Sequence, residues 1–291
     1  MQAIKHPVIR YHGGKWRLAP WIISYFPAHR CYVEPFGGAA SVLLRKAASD
    51  AEVYNDLDGD VVNLFRVLRD PAMSKRLAHV CALTPYSRDE FRAAYSPSSD
   101  AVEQARRLVV RATMGFGSAG ATRGVTGFRL DTRRNSTTAQ RVWACQPDNL
   151  AAVASRFAGV LVENRDAVQC MQDHDTPDTL HFVDPPYLHD TRVQVAKNSA
   201  YRHDMTDVDH LTLLNCLRQL RGKVILCGYP NSLYSDLLPD WACVSRITIA
   251  NGRAGSVRRT ECLWLNPNIA SSREHGVAAQ TVLALQPAGG V

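Results

Sequence analysis

The sequence predicts an α/β fold: an open, doubly wound sheet of mainly parallel strands, interrupted by a long and mainly helical insertion. Three observations predict it. Short apolar, β-branched runs bounded by Gly, Pro or Asp recur along the 291 residues and read as buried parallel strands. Stretches of helical period separate several of them, the alternation a doubly wound sheet requires. Between about Leu57 and Ala158 that rhythm stops and helical patterns take over.

The first strand is Cys31–Glu34, followed by a Gly-Gly bend and a helical stretch over 39–48. The second covers 52–55, with a helix over 58–69 behind it. Helical periods then run over Pro71–Leu83, 88–95 and 102–114. A Gly- and Arg-rich stretch, 115–141, shows no period. Strands resume at 159–163, 179–184 and Lys223–Gly228. The helix before the last of these, 206–221, opens on the cap signal Thr206-Asp207-Val208-Asp209. Two further runs, 244–250 and 261–266, suit an antiparallel edge hairpin. The expected division is 1–57 with 159–266 as one domain, 58–158 as an inserted domain, and 267–291 as a small, polar tail.

Composition sets outer limits. The apolar share of 46% supplies a sizeable core. Apolar runs are far too short to span a bilayer, and the first residues lack the pattern of a signal peptide. The expectation is a soluble, cytoplasmic protein with no membrane contact. Eight cysteines form no CxxC pair and lie near no paired His. They read as buried free thiols, with no metal site. No Pro-Cys dipeptide occurs, which disfavours a cysteine nucleophile. A net charge of +7 and a pI of about 9.1 fit a polyanionic partner.

The sharpest motif is Asp184-Pro185-Pro186-Tyr187, directly after the apolar His181-Phe182-Val183. Sites in open α/β sheets lie at the carboxyl ends of strands. Two prolines end the pairing and stiffen the turn. The turn therefore presents a carboxylate, fixed carbonyls and an aromatic face together, which are the parts needed to hold a planar amine. Asp184 and the Pro185 carbonyl can accept its two hydrogens, and Tyr187 can stack on its ring. A plain Pro-rich turn is the alternative for these residues. Val33-Glu34-Pro35-Phe36-Gly37-Gly38-Ala39-Ala40-Ser41 follows the first strand, where Gly allows close approach to a ligand. Val53-Tyr54-Asn55-Asp56 ends a strand in an acid some twenty residues on, where nucleotide-binding folds hold a ribose. Arg10-Tyr11-His12-Gly13-Gly14-Lys15 lacks phosphate-loop spacing and is, by itself, a Gly turn followed by a cation.

Taken in order, GGK, EPFGGAAS, YND, an insertion and DPPY resemble the Dam-type, D12-class DNA adenine methyltransferases, including phage and restriction-modification relatives. The resemblance runs from about Ile9 to Asn266. It implies a Rossmann-like catalytic domain with an inserted target-recognition domain, S-adenosylmethionine as methyl donor, double-stranded DNA as partner and no metal. It implies cofactor-binding roles for Tyr11, Lys15, Glu34, Phe36, Gly38, Asp56, Asp166 and Asp184, and catalytic roles for Asp184, Pro185, Pro186 and Tyr187. Arg258-Arg259-Thr260-Glu261, with Trp264 and Asn266, resembles the family's closing segment. Ala40 stands where the family often has a second loop Gly. The implied chemistry flips the target adenine out of the duplex, and its amino nitrogen attacks the methyl group in line.

The insertion carries the expected DNA contacts. Arg106, Arg107 and Arg111 share a helical stretch, whose face is assigned to phosphates. Arg123, Arg129, Arg133 and Arg134, with Arg141 beyond, fall in or beside the Gly-rich stretch, where one or two are assigned to base edges. Asp131 is the only acid between Gly115 and Arg141. The segment from Tyr187 to Met205 reads as a lid, with Tyr201 and His203 closing over the flipped base. Methylation of a cytosine or RNA amino group, and an inactive nucleic-acid-binding relative, remain alternatives on sequence alone.

Overall fold

The computed structural model describes residues 4–122, 124–130, 138–191, 201–252 and 255–269. Each expected strand forms. β1 (Cys31–Glu34), β2 (Ala51–Asn55), β3 (Leu161–Glu163), β4 (Thr179–Val183) and β5 (Lys223–Gly228) are parallel. β6 (Ala242–Gly252) and β7 (Gly255–Leu265) form the antiparallel hairpin at one edge. The order across the sheet is β3-β2-β1-β4-β5-β7-β6. β4 is buried at every position, as a central strand covered on both faces should be.

Apart from those at Ala19–Ile23 and Gln146–Phe157, the α-helices begin where short polar side chains cap them. After the short α1 (Ala19–Ile23), α2 (Gly59–Arg69) starts at Asp58, which accepts from Asp60 N. Asp70 then caps α3 (Pro71–Leu83), whose Pro71 occupies the first turn, where a missing N–H is harmless. Ser87 caps α4 (Arg88–Ala93) and Asp100 caps α5 (Ala101–Met114). α6 (Ala139–Ala144), α7 (Gln146–Phe157) and α8 (Ala167–Asp173) follow. α9 (Asp207–Gln219) carries the full capping box of Thr206 and Asp209, and α10 (Ser232–Leu237) is capped by Asn231.

In sequence, α2 to α7 interrupt the sheet between β2 and β3. In space they share its core. Tyr54 of β2 packs 4.5 Å from Phe65 of α2, and Phe65 stacks on Phe157 of α7 at 4.4 Å. One apolar cluster runs unbroken from Tyr32 and Phe182 through Phe65 to Leu108 and Trp143. The Gly-rich stretch, as far as it is described, folds back on itself: Gly115 bridges Phe128, and Arg129 N donates to Met114 O at 2.8 Å.

Two expectations need correction. Residues 39–48 form consecutive turns, not a helix. Leu43 shows why. Its N–H donates to Glu34 Oε2 at 3.0 Å, and its carbonyl accepts from Arg156 Nη2 at 2.8 Å. Both groups a helix would use are taken by side chains from elsewhere, and Ala40 lies at φ 51°, outside the helical region. The cysteines are free, but Cys145 and Cys243 are exposed rather than buried.

A buried ion triad locks this turn segment to the sheet. Glu52 of β2 takes Arg156 of α7 in a two-pronged pair at 2.6 and 2.8 Å, and also pairs with Lys46, whose side chain is wholly buried. Removing one member of such a set strands the opposite charge in a low dielectric. Glu52→Ala is therefore expected to lower unfolding stability by about 3–5 kcal/mol, with Glu52→Gln intermediate. Denaturant midpoints measure this, and a loss below about 1 kcal/mol would refute a buried, charged triad.

Candidate active site

Strand order locates the site before any side chain does. From β1 the chain winds outward to β2 and β3 on one side, then crosses to β4 and β5 on the other. The loops leaving β1 and β4 therefore part at their carboxyl ends and open a crevice, the usual ligand position in such sheets. A cleft of about 820 Å³, measured to its open mouth, lies there. Of the residues singled out from sequence, it brings together Tyr11, Lys15, Glu34, Phe36, Gly38, Asp56, Asp184 and Pro186.

Asp184 stands at the end of β4 and pairs with the buried Lys15, Nζ to Oδ1 at 2.8 Å. Lys15 also donates to Gly13 O at 2.9 Å and lies 4.7 Å over the Tyr187 ring. Burial works against the charge on Lys15, but the carboxylates of Asp184 and Glu261 outweigh it and raise its pKa. Enclosure raises Asp184 too, and Lys15 only partly offsets this. The two shifts have different causes: burial dominates at Asp184, whereas at Lys15 the surrounding carboxylates prevail over burial. Tyr187 is held from behind. Its hydroxyl donates to Glu261 Oε2 at 2.8 Å, and its ring meets Tyr229 edge-on at 4.7 Å. Arg259 lies over Tyr229 at 5.7 Å.

The other half of the cleft is built on the β1 loop. A side chain at Gly37 would run into the Tyr54 ring, and one at Gly38, where φ is 47°, into Tyr11. Only glycine lets the loop lie this close. Asp56 accepts from Gly38 N at 2.7 Å and Asp58 N at 2.8 Å, and enclosure raises its pKa to about 6. Glu34 is buried, with both Tyr32 OH and Leu43 N donating to its Oε2, yet burial prevails and raises it to about 8. Asp166 behaves differently. It is exposed and caps α8 by accepting from Gln169 N, while its neighbour Ala167 lines the cleft.

Sequence reasoning missed Tyr229 and Arg202, and named Glu261 only within a closing segment, with no role at Tyr187. Glu261 and Tyr229 come from strands distant in sequence, and only pairing of β5 with β7 brings them to Tyr187. Tyr201 and His203, read as closing over the base, line the same cleft as Tyr11 and Gly13. Tyr201 lies 5.1 Å from His12 and 6.4 Å from Tyr11. Arg202 fixes this segment by pairing with Asp58 at 3.0 Å and Asp60 at 2.9 Å. Residues 192–200 of the expected lid lie outside the described residues.

The α5 arginines are engaged within the fold. Arg106 is held by Glu103, Glu90 and Thr84, Arg107 by Glu103 and two carbonyls, and Arg111 by Asp60 and Ala94 O. These side chains tie α5 to its neighbours instead of presenting a cationic face, because acids from α2, α4 and α5 itself already meet them. Arg129 is half-buried, and its carbonyl accepts from Tyr86. Arg123, Arg133 and Arg134 lie outside the described residues. Among the described residues no group of His, Cys, Asp and Glu is placed to hold a metal, and no helix is long and apolar enough to cross a membrane.

Comparison with known proteins agrees with this geometry. The family described as D12 class N6 adenine-specific DNA methyltransferase matches residues 11–248. A DNA adenine methylase of Serratia marcescens is 36% identical over 61 residues, which is 21% of this chain and 22% of that relative. The match thus spans about a fifth of the length of that curated relative.

The folded state holds the Glu34 proton more tightly than the unfolded chain, so stability falls as pH rises from the ordinary carboxylate value of 4.5 to about 8. Between about pH 6.5 and 8 two neighbouring shifts run the other way, because burial lowers His29 from 6.5 to about 4 and Lys46 from 10.5 to about 8, and they offset part of the fall. Across that window the protein is expected to lose about 1 kcal/mol of stability, and Glu34→Gln to remove the loss. Urea melts at stepped pH measure it. Parallel profiles for the two proteins would show Glu34 ionised throughout.

Proposed function

The chain belongs to the D12 class of N6 adenine-specific DNA methyltransferases, and from that premise we propose that it transfers a methyl group from S-adenosylmethionine to the exocyclic amino group of adenine in double-stranded DNA. The observation that carries this reading is Asp184, held by Lys15 at the switch point of the sheet, in one cleft with Asp56 and Glu34. A bare carboxylate turn would not need a buried cation of its own.

The cleft's chemistry fits the cofactor. S-adenosylmethionine carries a sulfonium and an ammonium, and the cleft is rich in carboxylates with Lys15 as their close cation. Glu34 suits the ammonium of the methionine part. Ser41 Oγ, buried without a partner among the described residues, faces the same cleft and suits its carboxylate. Asp56, at the end of β2, suits the ribose hydroxyls. Phe36 and Tyr11 offer apolar and aromatic surface, and Gly38 gives room. Asp166 fits less directly, since its carboxylate caps a helix. The bound cofactor supplies an electrophilic methyl group on a positively charged sulfur.

The protein's own groups act on the amine. Asp184 and the Pro185 carbonyl accept its two hydrogens, which leaves the nitrogen lone pair directed at the methyl group. Pro186 stiffens the turn that holds both acceptors. Tyr187 stacks on the flipped base, and Glu261 with Tyr229 fixes the angle of its ring. Alignment and this polar clamp lower the barrier, and no covalent enzyme intermediate is needed. In this reading the residues 58–158 contribute the target-recognition unit, with Arg123, Arg129, Arg133 and Arg134 as its base-reading candidates.

Asp184→Asn keeps the shape and removes the charge. It is expected to reduce methyl transfer at least roughly 10²-fold at temperatures where the variant is folded, and to lower the thermal midpoint, because the buried Lys15 loses its counter-charge. Radiolabelled transfer to duplex DNA reads the first and calorimetry the second. Activity within a few-fold of wild type would take Asp184 out of the mechanism.

Cofactor affinity should depend on Asp56 in its ionised form. Since its pKa is raised to about 6, the dissociation constant is expected to rise as pH falls through 6, by about tenfold per unit below it. Asp56→Asn should bind weakly at every pH and lose the dependence. Titration calorimetry between about pH 5 and 8 tests this, and a flat wild-type profile would rule out the ribose role.

A further inference from the structure

The hairpin of β6 and β7 runs past the body of the sheet. β5 pairs with β7 only from Ile225↔Leu265 to Gly228↔Cys262, whereas β6 and β7 stay paired out to Gly252↔Gly255. Leu226 of β5 is level with Val183 of β4, so the overhang starts near the level of Asp184. It continues for roughly 20 Å at the rise of an antiparallel strand. A two-stranded ribbon standing alone is marginal in water, and the base of this one reaches the catalytic turn through Glu261, which accepts from Tyr187.

Its chemistry names the partner. Between positions 242 and 265 the sequence has four arginines, at 246, 253, 258 and 259, and one acid, Glu261. That acid is buried and accepts from Tyr187. Arg246 and Arg258 are exposed and form no ion pair among the described residues. The contrast with α5 is direct, since its arginines are all matched by acids. Strand alternation puts Arg246 on the Glu261 face and Arg258 on the other, beside Ile249. Positive charge is thus available on both sides of a narrow arm. In the sheet order this arm lies at one edge and the helices between β2 and β3 at the other.

We propose that the β6–β7 ribbon is a second DNA-contacting arm, which holds backbone phosphates on the flank of the target opposite the helical segment. The inference rests on DNA being the substrate. The ribbon's arginines neutralise phosphates and read no bases, so their effect is the same on every sequence and depends steeply on salt.

The test uses the full chain with sinefungin and fluorescein-labelled duplexes, cognate and scrambled, in anisotropy titrations over a salt series. Arg246→Ala with Arg258→Ala should weaken binding alike on both duplexes. It should reduce the slope of log Kd against log salt by about 1–2, near 0.9 per lost phosphate contact. KM for DNA should rise while kcat, thermal unfolding and cofactor affinity hold. Lysine at both positions should keep most of the slope. An unchanged slope and Kd in the double alanine variant would overturn the arm while leaving the methyltransferase reading intact. So would a change in sedimentation mass with no change in slope, which would make the ribbon a protein interface. Should the wild-type chain methylate no DNA, both readings would fall together.

Discussion

A carboxylate enclosed at the end of a central strand needs a compensating charge, and most of the site's construction follows from that need. Asp184 obtains it from Lys15, which comes from the segment ahead of the first strand. Lys15 in turn needs its turn carbonyl, Gly13 O, held in place, and Gly13 needs a positive φ that leaves room for Tyr201. The ammonium also lies over Tyr187, so the cation that steadies the carboxylate touches the aromatic ring as well. One buried pair therefore links the N-terminal turn, the β4 turn and the segment after it.

Around that pair the cleft is deliberately poor in positive charge. Glu34, Asp184 and Glu261 all act on Lys15 or on one another. Burial, with that crowding behind it, raises the proton affinity of Glu34 and Asp184. It also prepares the cleft for a ligand that brings positive charge with it. The acids are held by N–H and O–H donors from the framework, as with Leu43 and Tyr32 on Glu34, so they need not rearrange when that ligand arrives.

Arginines divide into two kinds, and composition does not distinguish them. Those on α5 and at Arg156 are cross-braces, matched by Glu90, Glu103, Asp60 and Glu52. They connect the helices between β2 and β3 with each other and with the sheet. Arg246 and Arg258 on the overhanging hairpin face water. A net charge of +7 therefore says little about where a polyanion would lie. The distribution of acids decides it, because each acid within reach removes one arginine from the available surface.

Sequence alone determined the parts of this protein that depend on local pattern. The parallel strands, the capped helices from Asp58 onward and the closing hairpin were legible because burial and capping leave marks at fixed spacing in the chain. The Asp184 turn was legible for the same reason: an apolar strand, an acid and two prolines are neighbours in sequence. The helix read at 39–48 failed because its pattern is helical while Glu34 and Arg156, remote in sequence, take Leu43's backbone groups. The ion pairs of the α5 arginines were not legible because Asp60 and Glu90 come from other helices. Glu261 behind Tyr187, Lys15 on Asp184 and the reach of the β6–β7 ribbon likewise waited on strand order. Each depends on groups meeting across the sheet, and a pairing between distant residues is fixed by packing and register rather than by any local preference of the residues that form it.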